Sequence, residues 1–474
     1  MQNKTTHTMP GFLIAAVKSG SGKTMLTCGL LQLLKNHGLR LSAFKCGPDF
    51  IDPMFHTRVL NIPSRNLDTY FTSAKQTRDL FTRACARQRA DLAVIEGVMG
   101  YYDGAGMTTA ASSYELASVL QVPAILVVDA AGMGNCVVPM VKGYLDYRAP
   151  SNIAGVLFNK VSSASMYAAL KEAVERELKI RAVGYLPRLA QAEIESRHLG
   201  LVRPREVQDI RKRVKYMADV MEQTVDRGLL LEIAGLHTQK RQHADPSAYG
   251  DPMTGNSKKQ YPKQHLGGKI RIAVAKDEAF CFYYQDNLDL LESLGAVLIP
   301  FSPLLDQALP DAVQGLLLGG GYPELYAARL CANEAMRADI RQKIADGLPF
   351  LAECGGFLYL KETLDNHPMV GALSGSAFAA RQKPHFGYVE LTAQTDTVFG
   401  PVGTKLRGHE FHYYDTTENG SAFLAKKPFR HTSWMCMQAG KNYAAGFAHL
   451  YFYSNPKAAE AFLHCCRRFR EETR

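Results

Sequence analysis

Seven consecutive residues near the start of the chain, Lys18-Ser19-Gly20-Ser21-Gly22-Lys23-Thr24, carry the chemistry of a phosphate site. Glycines let the backbone turn its N–H groups inward without Cβ clashes, and the helix expected over 25–36 adds the partial positive charge of its N-terminus. Lys23 can reach terminal phosphates, and the Thr24 hydroxyl can ligate Mg²⁺. Ser19, Gly20, Ser21, Gly22, Lys23 and Thr24 are therefore the candidate ATP contacts. Carboxylates for the metal are Asp49 and Asp52, in the run 45–53, and Glu96 directly after the apolar run 92–95. A carboxylate leaving a buried strand is costly unless paired or metal-bound, which favours Glu96. A lone Asp serves as readily in a turn or helix cap. Asn159, after the apolar run 153–158, is placed to hydrogen-bond a nucleotide base.

A second chemistry sits in Leu351-Ala352-Glu353-Cys354-Gly355-Gly356-Phe357. An expected strand runs into an expected helix there, so Cys354 falls on a sharp turn that exposes a nucleophile. The helix N-terminus favours thiolate, and neighbouring backbone N–H groups such as that of Gly355 can stabilise an oxyanion. Gly320 and Gly321, in the glycine-rich turn after 316–318, are the expected source of a second oxyanion donor. The thiol needs a base, and His449 is the late histidine in a strand-like context. Many class I glutaminases carry Glu two residues after the histidine. Position 451 is Tyr here, so a Cys354–His449 dyad is expected rather than a triad.

The elements that position these groups follow from the hydrophobic pattern. Short apolar runs at 12–17, 41–44, 92–95, 124–128, 153–158 and 182–186 alternate with helical patterns, which reads as βαβ units around a mostly parallel sheet. A charge-rich helical stretch over 188–236 closes this first unit. Residues 237–268 are dominated by Pro, Gly, Ser, Gln and Lys and read as a linker. A second α/β alternation runs through 270–275, 296–300, 316–318 and 349–352, followed by short aromatic-rich strands. The expected domains are 9–236 and 269–474.

The 474 residues suit two or three domains, and 46% hydrophobic with 21% charged residues is ordinary for a folded protein. The formal charge of +10 suits an anionic partner such as phosphate or a polycarboxylate. Ten scattered cysteines without a C-x-x-C pair suggest neither a zinc cage nor a disulfide scaffold, and fit reduced thiols in a cytoplasm. The apolar stretch 11–17 is too short for a membrane span and lacks a cleavage site after it, so no export signal is read.

The phosphate loop resembles the variant form of the ParA/MinD and dethiobiotin synthetase branch, in which a lysine often occupies the place of Lys18. Taken together, the motifs resemble the cobyrinate a,c-diamide synthase family of corrinoid-forming amidotransferases over nearly the whole chain. The matching stretches are Phe44-Lys45-Cys46-Gly47-Pro48-Asp49-Phe50-Ile51-Asp52-Pro53, Arg65-Asn66-Leu67-Asp68, Glu96-Gly97-Val98-Met99-Gly100-Tyr101-Tyr102-Asp103-Gly104, Arg197-His198-Leu199-Gly200-Leu201, Ala279-Phe280-Cys281-Phe282-Tyr283-Tyr284 and Gly408-His409-Glu410-Phe411-His412-Tyr413. The resemblance implies an α/β P-loop domain of dethiobiotin-synthetase type with a mostly parallel sheet, followed by a class I glutaminase-like α/β domain. It implies that Lys23, Thr24, Asp49 and Glu96 handle ATP and Mg²⁺, that Lys45, Asp52 and Asp103 lie in the acyl-phosphate region, and that Cys354 releases ammonia from glutamine through a thioester. An internal ammonia route would link the two sites. The implied partners are the small molecules ATP, L-glutamine and a cobyrinate-like tetrapyrrole, with no nucleic acid and no membrane; homodimerisation is left open. The shared motifs would equally serve diamidation of nickel-sirohydrochlorin. A ParA/MinD-like ATPase switch is the competing class, and it has no use for Cys354.

Overall fold

The computed structural model describes residues 9–189, 204–236, 269–380 and 385–472. The linker expected over 237–268 and the motif at 197–201 lie outside the described residues. The chain divides into two compact units, with the division between residues 259 and 260.

In the first unit, seven strands form one parallel sheet: β1 (Gly11–Ala16), β2 (Leu41–Cys46), β3 (Ser64–Leu67), β4 (Leu92–Glu96), β5 (Ala124–Asp129), β6 (Ile153–Val161) and β7 (Arg181–Pro187). Their order is β3-β2-β4-β1-β5-β6-β7, and each neighbouring pair is parallel. β1, β2 and β4 are buried at every residue, as continuous apolar runs in a doubly covered parallel sheet must be. Six of the seven strands coincide with the apolar runs read from the sequence. β3 does not, because its sequence Ser-Arg-Asn-Leu has no apolar run and only Asn66 and Leu67 are buried.

Helix α1 (Lys23–Asn36) follows β1 and buries Leu26, Leu30, Leu31, Leu33 and Leu34 in a core shared with Val214, Met217 and Met221 of the helix Pro204–Thr224. At about 1.5–3 kcal/mol for each buried aliphatic side chain, this face fixes the direction of α1. Gly29 permits the approach, since a Cβ there would meet Met217 and Met221 side-chain atoms at 2.8 Å. Helix α2 (Ile51–Leu60) follows β2 and buries Phe55, His56 and Val59.

The second unit is built on β8 (Ile270–Ala275), β10 (Ala296–Phe301), β11 (Gly315–Leu318) and β13 (Phe350–Glu353), with the short pair β9 (Phe280–Phe282) and β12 (Gly320–Gly321) beside them. The sheet order β10-β8-β11-β13 continues into Tyr443–Gly446 and Gln438–Gly440; all these pairs are parallel except the last. A five-stranded antiparallel sheet follows, its edge formed by His449–Leu450 paired with Lys405–Glu410. The aromatic-rich short strands expected from the sequence are these.

Candidate functional site

The parallel sheet of the first unit delivers its functional groups at the carboxyl ends of its strands, where ligands collect in open α/β sheets. β1 ends in the loop 17–22 and α1 begins at Lys23. Gly20 and Gly22 have φ of 79° and 86°, in the left-handed region that glycine enters without penalty. The Ser21 hydroxyl donates to the Lys18 carbonyl at 2.8 Å. The Asn159 amide nitrogen donates to the Ser21 carbonyl at 3.0 Å, while its oxygen accepts the Lys160 N–H at 3.0 Å. Both ends of that amide are thus engaged within the protein, and Asn159 supports the back of the phosphate loop.

Behind the loop lies a cluster of charges. The Thr24 hydroxyl donates to Glu96 Oε1 at 2.6 Å. Lys45 Nζ lies 3.0 Å from Glu96 Oε1 and 2.5 Å from Asp52 Oδ2. His56 Nε2 stands 3.3 Å from Glu96 Oε2, and its Nδ1 is 3.1 Å from the Ser64 hydroxyl. Glu96 is 0% exposed. Burial alone would raise its carboxyl, but Lys45, His56 and Thr24 outweigh that and hold it well below the usual carboxylate range. Lys23 donates to the Met99 carbonyl; burial and the neighbouring Lys45 lower its ammonium to about 8. Asp103 acts on that ammonium in the opposite sense, and its Oδ2 accepts the Gly100 N–H at 2.9 Å. Asp49 Oδ1 accepts the Ile51 N–H at 2.8 Å at the start of α2, which takes up one of its oxygens. His56 and Ser64 were not singled out from the sequence, because a histidine in a helical pattern and a serine in a polar run carry no signal of their own.

The donors here suit Mg²⁺: the Thr24 hydroxyl and the carboxylates of Glu96 and Asp49 are hard oxygens. No group of three or more His, Cys, Asp or Glu forms a metal cage among the described residues, and Mg²⁺ is usually held by one or two carboxylates together with substrate phosphates.

In the second unit, Cys354 joins β13 to the helix Gly355–Leu360 with φ 47° and ψ −105°. A non-glycine residue there is strained and persists because its surroundings over-determine it. Its N–H donates to the Gly446 carbonyl at 2.8 Å, and the Gly356 N–H donates to the Gly319 carbonyl at 3.0 Å. The glycines meet closely. A Cβ on Gly355 would lie 3.0 Å from the Gly321 nitrogen, and one on Gly320 would lie 2.4 Å from His449 Cε1. The turn expected to supply the oxyanion donors is therefore packed against both the cysteine turn and the histidine ring.

Burial and the helix start act on the Cys354 thiol in opposite senses. The sequence suggested that the helix start would favour thiolate. Instead, burial raises the Cys354 thiol above its ordinary value, Glu324, Glu353 and Glu410 push the same way, and the Gly355 N–H opposes them only in part. Burial pushes the Glu324 carboxyl up to about 7, and Glu410 also lines a cavity of about 270 Å³ with His412, Asp415, Trp434 and Phe447.

The expected dyad has a carboxylate beside it. Glu353 Oε2 is 3.6 Å from His449 Nδ1, while the Tyr451 hydroxyl donates to Asp286 at 3.0 Å. The signal for Glu353 was an ionisable residue at the end of an apolar strand, directly before the nucleophile.

Residues 12–202 match the CobQ/CobB/MinD/ParA nucleotide binding domain, and residues 271–457 match the CobB/CobQ-like glutamine amidotransferase domain. A cobyrinate a,c-diamide synthase from Caldanaerobacter subterraneus is 36% identical over 97% of this chain and 98% of its own. One from Salmonella typhimurium is 36% identical over 96% of this chain and 98% of its own. Among solved structures, PurLQS from Thermotoga maritima is 17% identical, with TM-score 0.32, covering 41% of this chain and 98% of that one. Full-length identity at this level, joined to a phosphate loop in one unit and a cysteine turn in the other, places the chain in the cobyrinate a,c-diamide synthase family.

Proposed function

We propose that this chain catalyses ATP- and glutamine-dependent amidation of the a- and c-side-chain carboxylates of cobyrinate in cobalamin biosynthesis. The observation that carries the reading is the pairing, within one chain, of a Lys23–Thr24–Glu96 cluster at the start of α1 with a Cys354 turn and a His449 ring that both pack against the glycine turn 319–321. A free carboxylate is a poor acyl donor because its leaving group is oxide. Transfer of a phosphoryl group from ATP supplies a better one, and this needs little beyond positioning and positive charge. Lys23 and Lys45 supply that charge, with Asp52 and Asp103 in the region of the acyl phosphate. Mg²⁺, held by Thr24, Glu96 and Asp49, would neutralise phosphate charge when bound.

In the glutaminase unit His449 takes the Cys354 proton as the sulfur attacks the glutamine side-chain carbonyl, and returns it to the departing nitrogen. Ammonia leaves, a thioester remains, and water releases glutamate. Backbone N–H groups of Gly320, Gly321 and Gly355 are the proposed oxyanion donors. The ten cysteines are free thiols, and no helix among the described residues is long and apolar enough to cross a membrane; a cytoplasmic setting is proposed on the reduced thiols and the ATP requirement. The test is mass spectrometry of the products formed from ATP, Mg²⁺ and glutamine with cobyrinate or, separately, nickel-sirohydrochlorin. Two successive exchanges of hydroxyl for amide on cobyrinate support the reading. Turnover confined to nickel-sirohydrochlorin, or none on either, overturns it.

A further inference from the structure

The glutaminase chemistry needs His449 to present one ring nitrogen to the thiol and to carry positive charge for part of each cycle. Something must hold the other nitrogen and offset that charge. Position 451 cannot do so, since it is Tyr and its hydroxyl is spent on Asp286. A carboxylate that reaches the ring is that of Glu353. Its Oε2 lies 3.6 Å from His449 Nδ1, at ion-pair distance. Its Oε1 accepts the Leu450 N–H at 3.2 Å, which ties the carboxylate to the residue after the histidine. Both side chains are withdrawn from solvent, 2% exposed for His449 and 13% for Glu353, so the charge interaction is little screened.

We propose that Glu353 is the positioning residue for His449: the segment that carries the nucleophile also carries the carboxylate that orients its base. With Oε2 facing Nδ1, the proton of the neutral ring is kept on Nδ1 and Nε2 is left to accept the Cys354 proton. The carboxylate then stabilises the imidazolium that exists until the proton passes to the departing nitrogen. The same requirement returns when His449 takes a proton from the water that opens the thioester. Burial, with Glu324, Glu353 and Glu410 acting in the same sense, pushes the Cys354 thiol up, which adds to the demand on the ring as the acceptor of its proton. The chain geometry explains how neighbours can do this. Glu353 is the last residue of β13 and Cys354, with φ 47°, leaves strand geometry directly after it.

This inference rests on the glutaminase role of Cys354 and His449 given above, and the test separates the two. Glutamine hydrolysis and amidation are measured side by side in the intact protein with ATP, Mg²⁺ and cobyrinate, using glutamine or an ammonium salt as nitrogen source. Glu353→Gln keeps an oxygen to accept the Leu450 N–H and removes the charge. It is expected to lower kcat for glutamine hydrolysis about 10²-fold or more with little change in KM, while amidation from ammonium salt continues. Glu353→Asp is expected to recover part of the loss. A Glu353→Gln protein that hydrolyses glutamine at the full rate, one that changes only KM, or one that loses ammonium-driven amidation as well would overturn the proposal. Wild-type protein that hydrolyses glutamine without amidating cobyrinate would sink the substrate assignment and leave this role standing.

Discussion

The Thr24 hydroxyl donates to Glu96 across 2.6 Å, joining the first turn of α1 to the end of β4 over 72 positions of sequence. The contact holds the helix that carries Lys23 against the carboxylate that pairs with Lys45. Removing the hydroxyl leaves Glu96 paired to Lys45 and His56, so the fold should survive. Thr24→Ala is expected to lower amidation about 10²-fold with glutamine and with ammonium salt alike, as the acyl phosphate is formed before either nitrogen source is used. Steady-state rates with both donors check this; a loss confined to glutamine contradicts it.

Lys23→Ala should abolish amidation from both donors, because no other described side chain of the loop 18–24 carries its charge to the phosphates from a buried position. Unaltered turnover in a folded variant refutes the assigned ATP site.

Cys354→Ala removes the ammonia source and nothing in the first unit. Glutamine-driven amidation is expected to disappear while ammonium salt still supports product formation. Loss of both in a protein with unchanged circular dichroism would contradict the division of labour.

Gly320→Ala places a methyl group 2.4 Å from His449 Cε1, closer than real Cβ contacts allow. The ring must rotate or shift. Displacements of this size at a reacting group cost about 10²-fold, so glutamine hydrolysis should fall by that order and ammonium-driven amidation should not. Wild-type hydrolysis in this variant would show that the ring is free to move aside.

Glu324 takes up a proton on folding, its carboxyl being raised from 4.5 to about 7 by burial. The stability it contributes is present below the unfolded value and is lost as pH rises through the folded one. Glu324→Gln cannot ionise and escapes that loss. It is expected to stabilise the protein against urea by about 2 kcal/mol at pH 8, a figure reduced for the partial exposure of the side chain, and by little at pH 5. An equal effect at both pH values would place Glu324 in a less buried setting.

Much of the fold was legible because its strands are buried on both faces and therefore spell continuous apolar runs, as in β1 and β4. β3 was not legible. It earns its place in the sheet through pairing with β2 and through Asn66, whose amide bridges the carbonyls of Gly47 and Asp49 at 2.9 and 2.6 Å; no periodicity reports such contacts.

The sites divide in the same way. Glycine, lysine and threonine at fixed spacing after a strand spell a turn into a helix by themselves, since that geometry is local, and a cysteine before two glycines spells a strand-to-helix turn for the same reason. Which carboxylate faces which cation is another matter. The approach of Glu353 to His449 spans 96 positions, and that of Lys45 to Glu96 spans 51. The upward push on the Cys354 thiol comes from burial and from Glu324, Glu353 and Glu410, which are brought around it from separate stretches of the second unit. Electrostatic energies depend on distance and dielectric, and neither exists until the tertiary structure sets it.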